Sequence, residues 1–189
     1  MKVKNIIISL QKEESENINT LIKIINEKKI NLIIVDEKNR IQIEDNLYID
    51  ILWPSKSKLI NENPLNNNSL VFKMQYKEFS MLFTGDIEKI AEENIIKEYN
   101  NNFNLLNSSI LKVAHHGSNT SSIQRFVDVV NPQIVLIGVG RNNKFGHPNK
   151  DVLERFEKKR CKIYRTDLNG EIIIKVLNDN KILLNSYLN

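Results

Sequence analysis

The chain has one cysteine, Cys161, and three histidines, none of them before position 115. A single cysteine excludes an internal disulfide framework and a cysteine-clustered zinc site. It falls in a stretch read as a strand, so a buried, inert thiol is expected rather than a nucleophile. Glycine is sparse and uneven: all six (Gly85, Gly117, Gly138, Gly140, Gly146 and Gly170) lie in the later part of the chain. No apolar run approaches the roughly 18 residues that cross a bilayer. The opening Met1–Leu10 has an apolar centre of only Ile6, Ile7 and Ile8, so neither a signal peptide nor a span is visible, and the chain as written reads as soluble. Internal repeats and low-complexity linkers are also missing.

What is present suits one domain over residues 1–189, with 41% hydrophobic and 26% charged residues. The net charge of +4 is compatible with a polyanionic partner and equally with none. Strands are expected at Asn5–Ser9, Leu32–Val35, Arg40–Glu44 (edge-like alternation), Leu47–Trp53, Ser69–Tyr76 and Phe79–Thr84, the last two as a hairpin around Lys77 and Glu78. Further strands are expected at Ile110–Ala114, Gln133–Val139, Cys161–Arg165 and Glu171–Val176, with an edge strand within Lys181–Leu188. Apolar spacing predicts helices over Ser15–Lys29, from Ile87 to about Tyr99, and over Ile123–Val130; Pro148 can open another. Asn61–Asn68 reads as loop and Asp167–Gly170 as a turn. Repeated strand–helix alternation with inserted hairpins indicates a layered α/β protein.

The chemistry gathers at strand ends. Leu111-Lys112-Val113-Ala114-His115-His116-Gly117-Ser118 runs from an apolar strand into a polar loop before a helix, which is how α/β domains place reactive groups. Thr84-Gly85-Asp86 ends another strand, and Gly146-His147-Pro148 lies in a basic loop after a third. Three glycines directly adjoin Asp86, His116 and His147. Carboxylate oxygen and imidazole nitrogen suit a divalent metal such as Zn or Mn, which lowers the pKa of bound water and polarises a phosphoryl or carbonyl oxygen. Arg141 and Lys144 beside His147 suit an anionic substrate. Singly, each feature has a plain reading: a lone histidine packs, Asp86 caps a helix, Asp167 forms a turn, Lys112 is exposed on a strand face, and Ser118 caps a helix. Concurrence at three strand ends favours function.

In order, Asn67-Asn68-Ser69-Leu70-Val71, Leu82-Phe83-Thr84-Gly85-Asp86, the Leu111–Ser118 stretch, Asn142-Asn143 with Gly146-His147-Pro148, and Arg165-Thr166-Asp167-Leu168-Asn169-Gly170 closely resemble the carboxyl-terminal metallo-β-lactamase-like domain of the ComEC/Rec2 DNA-internalisation proteins. Those are membrane channels that import single-stranded DNA during natural competence, and their soluble domain is thought to act as a nuclease. The resemblance implies an αββα sandwich, with DNA, the parent membrane channel and other competence proteins as partners. It matches Asp86 to an aspartate bridging two metals, and His115, His116 and His147 to histidines of the metal-binding face. It leaves open which histidine coordinates metal and which contacts substrate. Lys112, His116 and Ser118 match positions at the active site, with phosphate contact the role implied for Lys112 and Ser118. The superfamily's His-x-His-x-Asp-His motif is missing, since no histidine precedes His115. The expectation is therefore a partial domain, truncated at its amino-terminal side and inactive without that motif, with two metals in the complete domain and none required here. The alternatives are a non-catalytic DNA-binding module and another metallo-β-lactamase-fold hydrolase acting on a small ester or lactam.

Overall fold

The computed structural model describes residues 2–10, 16–177 and 181–188. Strand β1 (Asn5–Ser9), helix α1 (Glu16–Glu27) and strand β2 (Asn31–Val35) form a small parallel unit with β1 against β2. The expected start of α1 at Ser15 lies outside the described residues. The helix stops short of Lys29 because that residue turns left-handed, with φ 52°, and Ile30 N–H donates back to Ile25 at 3.0 Å.

Next come β3 (Arg40–Glu44), β4 (Leu47–Trp53), a one-turn helix α2 (Pro64–Asn67), β5 (Val71–Tyr76), β6 (Phe79–Phe83) and helix α3 (Lys89–Glu98). Then follow β7 (Ile110–Lys112), α4 (Gln124–Val130), β8 (Ile134–Ile137), α5 (Lys150–Lys158), β9 (Lys162–Arg165), the single turn α6 (Thr166–Asn169), β10 (Ile172–Val176) and β11 (Ile182–Ser186). Strands β3 to β9 lie side by side in chain order in one seven-stranded sheet. Pairing is antiparallel from β3 to β6 and parallel from β6 to β9. As the alternating pattern of Arg40–Glu44 suggests, β3 is an edge. Among the described residues no helix is long and apolar enough to cross a membrane.

Alternate strand residues face opposite layers. Leu82, Leu111, Val113, Val135 and Ile137 pack with Ile87, Ala91, Ile95 and Ile96 around α3, with Phe126, Val127 and Val130 of α4, and with Val152 and Phe156 of α5. These side chains are 0–1% exposed, so each except the small Ala91 contributes about 1.5–3 kcal/mol of burial. On the other face Phe79, Met81 and Ile110 pack with Ile134, Leu136, Ile174 and Val176, which seats the antiparallel β10–β11 hairpin against the sheet. The layers are helices, large mixed sheet and hairpin.

Three local readings change. Pro148 does not open α5: Asn149 is the cap, its side chain accepting from Asp151 N–H at 3.0 Å, and Pro148 stands one residue earlier. An asparagine carbonyl satisfies a helix-start N–H that proline cannot reach. The Asn61–Asn68 stretch contains α2, and its last asparagines, Asn67 and Asn68, are fully buried. The Asp167 turn is a full helical turn, ended by Gly170 at φ 68°.

Candidate functional site

Parallel pairing aligns the carboxyl ends of β6, β7, β8 and β9, so the segments after them meet at one rim. Thr84 Oγ1 donates to Lys112 O at 2.6 Å, and His115 N–H donates to Gly85 O at 3.0 Å, lacing the Asp86 turn to the histidine turn. His115 (φ 45°, ψ 43°) and His116 (φ 55°, ψ 19°) are consecutive left-handed residues without being glycine. That conformation is strained and persists where surrounding bonds enforce it. Here Ser118 N–H donates to His115 O at 2.9 Å, and Asn149 N–H donates to Gly117 O at 2.8 Å.

The twist aims the two rings in different directions. His116 Nδ1 lies 2.6 Å from Gly138 O. A carbonyl only accepts, so Nδ1 carries the proton and Nε2 is turned to Asp86, 3.8 Å from Oδ1, with both side chains about half exposed. His115 Nδ1 instead lies 3.5 Å from Glu88 Oε1 and 3.4 Å from Thr120 Oγ1. His147 meets His115 edge-on, ring centres 5.9 Å apart. Burial, then the neighbouring His115 and His116, hold the His147 imidazole below its ordinary range, which keeps it neutral at pH 7. The Asn143 side chain grips the His147 backbone, its Oδ1 accepting from N–H at 2.9 Å and its Nδ2 donating to O at 2.8 Å. Phe145 stacks on His147 at 5.9 Å. A cavity of about 390 Å³ opens between His116, Gly138, Val139, Gly140, Asn143, Phe145 and His147.

The structure thus brings Asp86, His115, His116 and His147 together. Lys112 lies beneath them rather than on an exposed face: its Nζ donates to Val113 O at 3.0 Å, and its chain occupies space that a side chain at Gly138 would contest. Burial lowers its pKa, while the charge of Asp86 opposes that shift. Ser118 is buried, its hydroxyl 3.0 Å from that of Thr120. Arg141 and Lys144 are exposed on the loop, and Arg141 Nε donates to Asp167 O at 3.3 Å. Asp167 itself pairs bidentately with Arg165, at 3.0 and 2.6 Å, which holds its carboxyl below the usual range. Cys161 is buried, Sγ 3.1 Å from Pro132 O, and burial pushes its pKa up, as an inert thiol requires.

Sequence reasoning missed the support beneath the rim. The Glu88 carboxylate takes Thr120 Oγ1 at 3.2 Å and Asn63 Nδ2 at 3.0 Å, and Glu88 N–H donates to Asn67 Oδ1 at 3.0 Å. Asn67 is fixed in turn by Trp53 Nε1 donating to its carbonyl at 2.7 Å. The only signal was Asn67 within the stretch quoted for its resemblance.

Catalytic and structural zinc sites use at least three protein ligands. Among the described residues no group of three or more His, Cys, Asp or Glu side chains could hold a metal ion. Asp86 and His116 supply two donors, so the described set does not by itself fit a metal.

No family model matches the chain. It is similar to ComE operon protein 3 of Bacillus subtilis (strain 168), 33% identical over 70% of this chain and 16% of that protein. It is also similar to Competence protein ComA of Neisseria gonorrhoeae, 34% identical over 68% of this chain and 18% of that one. Recombination protein 2 of Haemophilus influenzae is 28% identical over 60% of this chain and 14% of its own length. The chain therefore matches about a sixth of the length of these relatives.

Proposed function

From the homology of this chain to competence proteins of the ComEC/Rec2 family over 60–70% of its length, we propose that it is the metallo-β-lactamase-like domain of a DNA-uptake protein and forms one side of a DNA-hydrolysing centre. Its partners are then DNA, the channel portion of the parent protein and other competence proteins. The layering of helices, mixed sheet and hairpin supports an αββα sandwich.

The observation that carries the reading is the facing of Asp86 Oδ1 and His116 Nε2 at 3.8 Å, with His115 and His147 beside them. These groups come from three separate strand ends and converge at solvent, where packing gives no reason for polar groups to gather. Neutral His147 and the Nε2 of His116, the ring nitrogen not committed to Gly138 O, can accept a proton from an attacking water. Arg141 and Lys144, exposed on the His147 loop, supply positive charge for a phosphodiester. Zn or Mn belongs to this proposal only with ligands beyond the described set.

The test compares the 189-residue chain with the same chain extended at its amino end by a segment carrying His-x-His-x-Asp-His. Alone, the chain is expected to bind DNA in EDTA with an affinity that falls steeply with salt, and not to cleave it. The extended chain is expected to take up metal and cleave DNA, and Asp86→Ala to lower cleavage at least 100-fold. Full cleavage by the extended Asp86→Ala protein contradicts the hydrolytic reading; no DNA binding by the chain alone contradicts the DNA-facing role.

A further inference from the structure

Phe145 is 82% exposed, the most exposed large apolar side chain among the described residues. A single exposed apolar side chain is ordinary on a protein surface, so it is the setting of this ring that points to a partner. It is not a stray surface residue: the ring lies 18° from parallel to His147, borders the 390 Å³ cavity next to His116, and sits on the same loop as Arg141 and Lys144. The cavity walls are ring edges and faces (Phe145, His147, His116), Val139, and the backbone of Gly138 and Gly140. Such a slot admits something flat and aromatic.

Two of its polar side-chain groups are already committed. The Asn143 amide is spent on Gly140 O at 3.2 Å and on His147. His116 Nδ1 is spent on Gly138 O. Neither group is free to read the edge of a base. Resting on the DNA reading above, we propose that Phe145 is a stacking platform for an unpaired nucleobase, seating the adjoining phosphate against Arg141 and Lys144. A base inside a duplex has both faces stacked and a blunt duplex offers only its two end faces, so the site takes single-stranded DNA or a frayed end in preference to blunt duplex, without regard to base identity. Base–aromatic stacking of this sort is sequence-tolerant because every base has a π-face.

Fluorescence anisotropy on the 189-residue chain in EDTA tests this, with a 12-nucleotide single strand and the matching blunt duplex. The single strand is expected to bind about tenfold more tightly, and Phe145→Ala to weaken it by about 5- to 100-fold with little effect on duplex. Phe145→Trp is expected to retain binding, while Phe145→Leu, apolar but without a ring, behaves as alanine does. A 2-aminopurine base in the strand should be quenched on binding the native chain and not the alanine variant. Because the ring is exposed, melting temperatures should not move, and a loss of binding then reports the contact alone. Equal single-strand binding by native and Phe145→Ala chains, or a preference for duplex, overturns the stacking proposal and leaves the DNA-facing role standing. Failure of the native chain to bind either DNA overturns both.

Discussion

Gly117→Ala is expected to lower the melting temperature by about 5–15 °C and to abolish DNA binding at the rim. At φ 80° an added Cβ would sit 2.6 Å from Pro148 Cβ and 3.2 Å from Pro148 Cα. Nothing there is the loose end of a flexible side chain. Left-handed strain of about 1–2 kcal/mol and overpacking of about 1–3 kcal/mol both apply, and a domain of this size loses about 2–4 °C per kcal/mol. The position is also where the two histidine loops touch, since Asn149 N–H donates to Gly117 O. Pushing Pro148 away therefore moves His147 relative to His116. Two neighbours serve as controls in the same circular-dichroism melts. Gly146→Ala has open space but φ 69°, so about 1 kcal/mol is expected from strain alone; Gly140→Ala meets nothing within 4 Å and should be neutral. Equal melting of all three would show that the loops are not in contact.

Glu92→Ala is expected to cost about 2–5 kcal/mol, because it strips two buried backbone donors of their acceptor. Glu92 is fully buried on α3, yet its carboxylate accepts Ser122 N–H at 2.6 Å and Ile123 N–H at 2.8 Å at the start of α4, which has no side-chain cap of its own. Arg155 of α5 donates to Ser121 O and Ser122 O next to it, so Glu92 and Arg155 together tie three helices to one segment. Burial pushes the Glu92 carboxyl up to about 7, and the two N–H bonds and Arg155 only partly offset this. A folded pKa above the ordinary carboxyl value of 4.5 means the native state binds the extra proton. The resulting stabilisation is full below about 4.5 and is lost as pH rises through about 7. His147 titrates with the opposite sign, its lowered pKa favouring the folded state as pH rises. Comparison with Glu92→Gln isolates the acid: between pH 5 and 8 the urea midpoint of the native chain should fall relative to that of the glutamine variant. Parallel midpoints across that range would contradict the assignment.

Strand positions and the strand-end loops were readable where local pattern decides structure. The continuous apolar run of Gln133–Val139 and the break at His115 gave the parallel strands and their ends, and β8 and the left-handed histidine pair stand there. What escaped is long-range. Glu88 matters through Asn63, Asn67 and Thr120, residues that only the folded chain brings to it, and a lone glutamate two places after Asp86 carries no pattern. Asparagines at 61–68 looked like loop because asparagine favours turns. Burial at Asn67 and Asn68 reverses their role, their amides being held by Glu62 O, Ile60 O and Pro64 O. The Phe145 side chain belongs to an apolar residue type, and only coordinates show it standing in solvent.

A second basic recess gives the site a rival. It opens at the opposite, amino ends of β7 to β9, between Asn107, Pro132, Lys159, Arg160 and Lys162. Amide chemical shifts followed by NMR while a single-stranded oligonucleotide is added to the 189-residue chain separate the two directly. The changes should centre on Asp86, His115, His116, Phe145 and His147 and leave Asn107, Arg160 and Lys162 unmoved. Shifts confined to the Lys159–Lys162 end, with the histidine loops silent, would contradict the reading of the carboxyl-end rim as the DNA-facing site.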